Sequence, residues 1–179
     1  TRFFFFIHIG RQGRFQDNYI RAQAILRGEE LPPRDRRLKR LFMSALQARA
    51  WGEVLGRRME MGTWNRLIDG DLAVKHDERG GMFTVEDVEK EQPRAERLEV
   101  SPSGPLYGKK MRKAAGEAAR LEDEVWASLG LDDAQRNKIG MGSRRSLRIP
   151  MGSIAIAAPT QATLRFSFAL PTGGYATVV

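Results

Sequence analysis

The side chains best able to do chemistry in this sequence are cations, and they fall into three groups. Arg34, Arg36, Arg37, Lys39 and Arg40 put five positive charges into seven residues. Lys109, Lys110, Arg112 and Lys113 form a second group, in a stretch rich in glycine and proline. Arg144, Arg145 and Arg148 form a third. The first group stands at the start of a predicted helix, where positive charge opposes the helix dipole at a cost of roughly a few tenths of a kcal/mol. Tolerating that cost points to a bound anion such as a phosphate backbone; a merely solvated face is the competing reading. Three basic groups separated by helices could follow a folded RNA. None of them interleaves aromatic and basic residues as an RNA-recognition motif does.

Other chemistries find little to work with. Cysteine is absent, which removes disulfides, thiolate nucleophiles and cysteine-ligated zinc. The two histidines, His8 and His76, are far apart in sequence, so neither a histidine metal site nor a Ser-His-Asp triad is expected. Asp69 and Asp71 in IDGDL are paired carboxylates, but without further acidic ligands such a pair is usually a turn leading into a strand, and no metal is expected. The segment GRQGRF matches neither a P-loop nor a dinucleotide fingerprint. The closing LPTGGYATVV is more suggestive. Gly173 and Gly174 allow a close approach that a side chain would block, Tyr175 sets a ring beside that bare backbone, and Thr177 adds a hydroxyl. A site wall and a plain hairpin corner both fit these residues.

A chain of 179 residues with 41% hydrophobic and 29% charged residues has the make-up of a soluble globular protein of one domain, or one and a half. Its net charge of +8 favours a polyanionic partner, nucleic acid before an anionic membrane. No apolar run reaches the ~18 residues of a transmembrane helix, and the opening TRFFFFIHIG has neither the basic flank nor the cleavage site of a signal peptide. The first residue is Thr, so a processed or truncated amino terminus is expected.

The elements that must position these groups follow from periodicity. RFFFFIHI is apolar on both faces and reads as a buried strand that asks for sheet neighbours. DNYIRAQAILRG reads as a short helix capped by Asp17 or Asn18, with Ile20, Ala24 and Ile25 inward and Gly28 at its end. EELPPRDRRLKR is a proline-punctuated corner and a candidate domain boundary. From Asp35, a good N-cap, a long helix is predicted with Leu38, Leu41, Phe42, Ala45, Ala48, Gly52, Leu55 and Met59 on its buried stripe and its arginines outside. Gly52 and Gly56 predict close packing there. Two short strands around a Gly-Gly turn come next, then an acidic stretch from Glu86 to Glu99. SPSGPLYGKKMRK reads as a loop. AAGEAARLEDEVWASLGL reads as a helix with Ala118, Leu121, Val125 and Leu129 inward. Gly140 to Arg148 reads as a connection. Finally Ala162, Leu164, Phe166, Phe168 and Leu170 alternate as in a half-buried strand. The fold class is mixed α+β.

Several of these segments, taken in order, resemble the TruD-type tRNA pseudouridine synthases. LRFSFALPTGGYATVV resembles the family's closing motif, a strand running into Leu-Pro-x-Gly-Ser-Tyr/Phe-Ala-Thr. PPRDRRLKRLFMSALQARAWGEVLGRR resembles its Arg-Asp-Arg-x-x-(Lys/Arg)-Arg helix, with Ser44 and Ala45 in the Leu-Ser-Ala position. WNRLIDGDLAV, GGMFTVEDVE and SPSGPLYG follow in the family's order, so the resemblance runs from about Gly10 onward. IHIGRQGRF keeps Gly10, Gln12, Arg14 and Phe15 of the stretch Asn-x-Phe-Gly-x-Gln-Arg-Phe-Gly, with Ile7 for the Asn, Ile9 for the Phe and an extra Gly13.

The resemblance implies an incomplete pseudouridine-synthase catalytic sheet interrupted by an α/β insertion domain. The insertion would span 33–147, with 1–32 and 148–179 joining the sheet. It implies isomerisation of uridine to pseudouridine in tRNA, with no metal or organic cofactor, through an aspartate in a Gly-x-Lys-Asp motif. No Asp of this chain stands in that context. The expectation is therefore the carboxy-terminal part of a split or truncated enzyme, or a relative that keeps the fold as a non-catalytic RNA-binding or ribonucleoprotein component. A protein-binding adaptor is a third reading. The uridine pocket would draw on Gln12, Leu170, Pro171, Gly173, Gly174, Tyr175 and Thr177, and the three cationic groups would contact tRNA or another structured RNA. A missing amino-terminal catalytic segment or partner chain would complete the site. No membrane association is expected; the expected location is the cytoplasm, with an organellar matrix as the alternative.

Overall fold

The computed structural model describes residues 17–77 and 80–170. The Phe-rich opening, Gln12, Pro171, Gly173, Gly174, Tyr175 and Thr177 lie outside the described residues. Within that range the chain is mixed α+β. It runs α1 (Asp17–Arg27), α2 (Arg36–Glu60), β1 (Leu72–Lys75), β2 (Met82–Thr84), α3 (Val88–Glu96), β3 (Val100–Leu106), α4 (Gly116–Ser128), α5 (Asp133–Arg136), β4 (Ser143–Ser146), β5 (Gly152–Thr160) and β6 (Thr163–Ala169).

Asp35 caps α2 as its sequence predicts, its carboxylate accepting the Arg37 N–H at 2.7 Å. The buried stripe is rotated from the predicted one. Phe42, Met43, Leu46, Ala50, Trp51, Val54, Leu55 and Arg58 face inward, whereas Leu38 and Leu41 are exposed. Both stripes are apolar enough to serve, and the partners decide between them. Met43, Leu46 and Ala50 meet Ala22 and Leu26 of α1, Tyr107, and Trp126 of α4 in the largest core cluster. Each large apolar side chain buried there contributes about 1.5–3 kcal/mol. In α1 it is Ala22 and Leu26 that face this core, while Ile20 is exposed. A Cβ at Gly52 or Gly56 would meet nothing, so neither glycine marks a close approach.

Arg58 departs furthest from expectation. It is buried on α2, with each guanidinium nitrogen donating. Nη1 and Nη2 reach the Asp71 carboxylate at 2.9 and 3.0 Å, Nε donates to Thr63 O at 3.1 Å, and Nη2 also to Arg66 O at 2.6 Å. Asp71 in turn accepts the Ile68 N–H at 2.8 Å. The IDGDL carboxylate is thus half of an internal ion pair at a turn leading into β1, with Gly70 in the left-handed region at φ +75°.

Four strands form an antiparallel sheet in the order β2-β1-β3-β4. Two of them arise where the sequence reads as loop. β3 carries Pro102 and Pro105, yet lies buried in the middle of the sheet. It divides its two edges, giving Val100–Pro102 to β1 and Ser103–Leu106 to β4. Pro102 lacks a donor but still accepts the Leu147 N–H at 2.8 Å. Gly104 lets the Trp51 ring lie on the strand, since a Cβ there would come within 2.8 Å of the indole. β5 and β6 pair separately as an antiparallel ribbon. The predicted alternation of β6 is present, but Leu164 and Phe166 are exposed rather than half-buried.

Candidate nucleic-acid interface

The first cationic group lines one open cleft, and the backbone of the second is bonded to the far wall of that cleft. Its long wall is the start of α2, presenting Arg36, Lys39 and Arg40 with Met43, Ser44 and Gln47 between and behind them. Its opposite wall is the backbone-rich segment Ile139–Ser143, and the enclosed volume is about 480 Å³. Arg36, Arg37, Lys39 and Arg40 are all exposed, and the first turn of α2 contains no acidic residue to neutralise them.

The Lys109–Lys110 turn is tied to that opposite wall. Lys109 N donates to Gly140 O at 2.8 Å and Lys110 N to Met141 O at 2.7 Å. The two segments can come this close only because Gly108 faces Gly142: a Cβ on Gly108 would sit 2.3 Å from the Gly142 nitrogen. Gln47 of α2 adds a strut from the other side, donating to Tyr107 O at 2.7 Å. Tyr107 anchors the turn, fully buried against Trp126, its hydroxyl donating to Glu122 O at 2.6 Å. Burial raises the Tyr107 phenol well above its ordinary range, so it stays protonated. Lys113 is exposed, and Arg112 donates to Met82 O at 2.7 Å toward β2. On the far side of Lys39 and Met43 lies a second hollow of about 390 Å³, rimmed by Arg27, Lys39 and Lys138. Neither hollow has an acidic side chain in its lining.

The third group is turned into the fold. The Arg144 side chain is buried and its guanidinium grips Glu122 with both terminal nitrogens, while Nε and Nη2 donate to the hydroxyl and carbonyl of Ser103 at 2.9 and 2.7 Å. Desolvation pushes the Glu122 carboxyl upward, against the pull of Arg144. Arg145 lies over the Trp51 ring at 5.9 Å. Arg148 donates to Ser101 Oγ at 3.0 Å and to Val100 O at 3.3 Å, and bonds Ala95 O as well. Every guanidinium nitrogen of Arg144, and Nε and Nη2 of Arg148, thus already donate within the fold. Of the pocket candidates only Leu170 is described, half-buried just after β6. The cleft wall at Ile139–Ser143 carries no charge, and so gave no signal in the sequence.

Fold and surface together define an α+β domain with an open cationic cleft built across a helix start and a double-glycine crossing. The family model of tRNA pseudouridine synthase D (TruD) matches residues 24–179, and the chain belongs to that family. It is 42% identical over 147 residues to the tRNA pseudouridine synthase D of Geobacter sulfurreducens, covering 80% of this chain and 35% of that protein. It is 41% identical over 140 residues to the Thermus thermophilus protein of the same name, covering 78% and 38%. With an Anaeromyxobacter protein of that name the identity is 38% over 178 residues, covering 95% and 49%. The chain thus spans between about a third and a half of the length of these curated relatives. The fold is similar to the crystal structure of the putative tRNA pseudouridine synthase D of Methanosarcina mazei. That match has a TM-score of 0.59 at 23% identity and covers 78% of this chain and 36% of that one.

Proposed function

We propose that the protein carrying this chain converts uridine in tRNA to pseudouridine, and that the described residues form part of its grip on the RNA backbone. Membership of the family supports the reaction class. The single observation that supports the division of labour is the cleft lined by Arg36, Lys39 and Arg40 with the Lys109–Lys110 turn tied to its far wall. Exposed cations on two separate elements, with no acidic neighbour in the lining, suit successive phosphates of a folded RNA. The reaction breaks the bond between uracil nitrogen and ribose, turns the base, and rejoins it through carbon. Atoms balance without an added reactant, and the target base has to leave its stack.

In this reading Gln12, Leu170, Pro171, Gly173, Gly174, Tyr175 and Thr177 line the uridine pocket. Residues 33–147 form the insertion, and the flanking segments join the catalytic sheet. Arg144 and Arg148 hold that insertion together rather than touching RNA. The test is pseudouridine formation in an unmodified tRNA transcript by the full-length protein. Neutralising Arg36, Lys39 and Arg40 together to Gln is expected to raise KM for tRNA roughly tenfold or more with little change in kcat. An unchanged KM overturns the cleft assignment, and absence of pseudouridine with the unaltered protein overturns the reaction.

A further inference from the structure

The chain has three tryptophans, and they differ sharply. Trp51 and Trp126 are buried, and each indole N–H donates to a backbone carbonyl, Arg145 O at 3.2 Å and Asp132 O at 2.9 Å. Trp64 is 40% exposed, and its N–H has no partner among the described residues. It stands in a hydrogen-bonded turn closed by Arg66 N to Thr63 O at 3.2 Å, with Trp64 and Asn65 at the two central positions.

That turn is held with unusual care. The buried Arg58 guanidinium donates to the carbonyls at both of its ends, Thr63 O and Arg66 O. The Thr63 hydroxyl and N–H return to Arg58 O at 3.3 and 2.7 Å. Gly62, at φ +68°, makes the sharp exit from α2 that the arrangement needs. Arg58 is locked in turn by Asp71. An internal ion pair therefore fixes the backbone of a surface turn, and the side chains at its tip are a large ring and an amide facing solvent. Exposed Arg57 and Arg66 flank it.

A half-open indole on a backbone-anchored turn, with exposed arginines at 57 and 66 near it in the chain, has the chemistry of a platform for a nucleobase: base faces stack on the ring while cations take adjoining phosphates. We propose that Trp64 stacks against an unpaired base of the RNA substrate, at the opposite end of α2 from Arg36–Arg40. This inference rests on the tRNA reading above. At about 1.5 Å per residue the two contact points are ~35 Å apart. The helix would thus act as a ruler between a phosphate grip at its start and a base contact at its end.

The experiment titrates the full-length protein with an unmodified tRNA transcript and with a fully paired RNA duplex, following tryptophan emission. Trp64→Phe identifies the share of the signal that belongs to Trp64. In the free protein acrylamide quenches that share; tRNA quenches it and shields it from acrylamide, while the duplex binds without doing so. Trp64→Ala weakens tRNA binding by about 5- to 100-fold with an unchanged salt dependence, and Trp64→Phe restores most of the affinity. Arg57→Gln with Arg66→Gln instead makes the salt dependence shallower. Binding by Trp64→Ala as tight as the unaltered protein's, or a Trp64 signal closed to acrylamide before RNA is added, overturns the inference. Failure of the unaltered protein to bind tRNA at all overturns the tRNA reading and this proposal with it.

Discussion

The four-stranded body and the β5–β6 ribbon of this chain are opposites in how sequence relates to burial. β3, Val-Ser-Pro-Ser-Gly-Pro-Leu, has almost nothing of a strand in its composition, and it is the most buried strand among the described residues. β6, Thr-Leu-Arg-Phe-Ser-Phe-Ala, alternates cleanly and lies exposed. In the ribbon Ile156 pairs with Phe166, and Ala155 with Ser167. Ile154, Ile156, Leu164 and Phe166 thus share one face, and each is more than 60% exposed. A two-stranded ribbon with a bare apolar face is marginal alone in water. The comparison teaches that alternation reports what a strand is suited to pack against. Burial is decided by what the rest of the fold puts there.

The largest effect is expected in the body. Arg58→Met leaves Asp71 as a buried, unpaired carboxylate and releases the Thr63–Arg66 turn. It should cost about 3–5 kcal/mol in urea unfolding. A loss under about 1 kcal/mol would mean that the pair is dispensable and that the body is not organised around it.

A smaller effect belongs to His76, at the end of β1. Ser101 Oγ accepts from Arg148 Nε at 3.0 Å and is hydrogen-bonded to His76 Nε2 at 2.7 Å, which brings the Arg148 charge close to the ring. Burial, helped by the charge of Arg148, holds the His76 pKa below the usual 6.5. As pH falls through 6.5 the unfolded chain takes up the proton first. Stability therefore declines below that pH, by at most ~1.4 kcal/mol per unit, until the folded-state pKa is passed. His76→Asn should flatten this part of the stability–pH curve, and an unchanged curve would remove His76 from the account.

The smallest effect is expected in the ribbon. Phe166→Ser should change the body's unfolding free energy by less than about 0.5 kcal/mol while reducing the binding of an apolar-surface dye. A drop of more than about 1.5 kcal/mol would show that this face is packed against the body after all.

Sequence alone made the Asp35 cap, the inward face of α4 and the two strands around the Gly-Gly turn legible, because each depends on neighbours within one turn or one hairpin. It misplaced the stripe of α2, where two apolar faces compete and only Tyr107, Trp126 and Asp71 choose between them. It read the arginines as a surface population, although Arg58, Arg144 and Arg148 serve as internal connectors. A buried guanidinium is decided by carbonyls and carboxylates many residues away. The cationic start of α2 was legible as a candidate site; the glycine crossing that ties the Lys109–Lys110 turn to the wall opposite it was not, since Gly108 and Gly142 are 34 residues apart in the chain.

The most direct test of the central claim is the salt dependence of tRNA affinity, measured on the full-length protein with Arg36, Lys39 and Arg40 intact or all changed to Gln. If the start of α2 holds phosphates, the slope of log affinity against log salt becomes shallower by about 2–3 in the triple variant. An unchanged slope would contradict the claim that this cleft is where the RNA backbone is held.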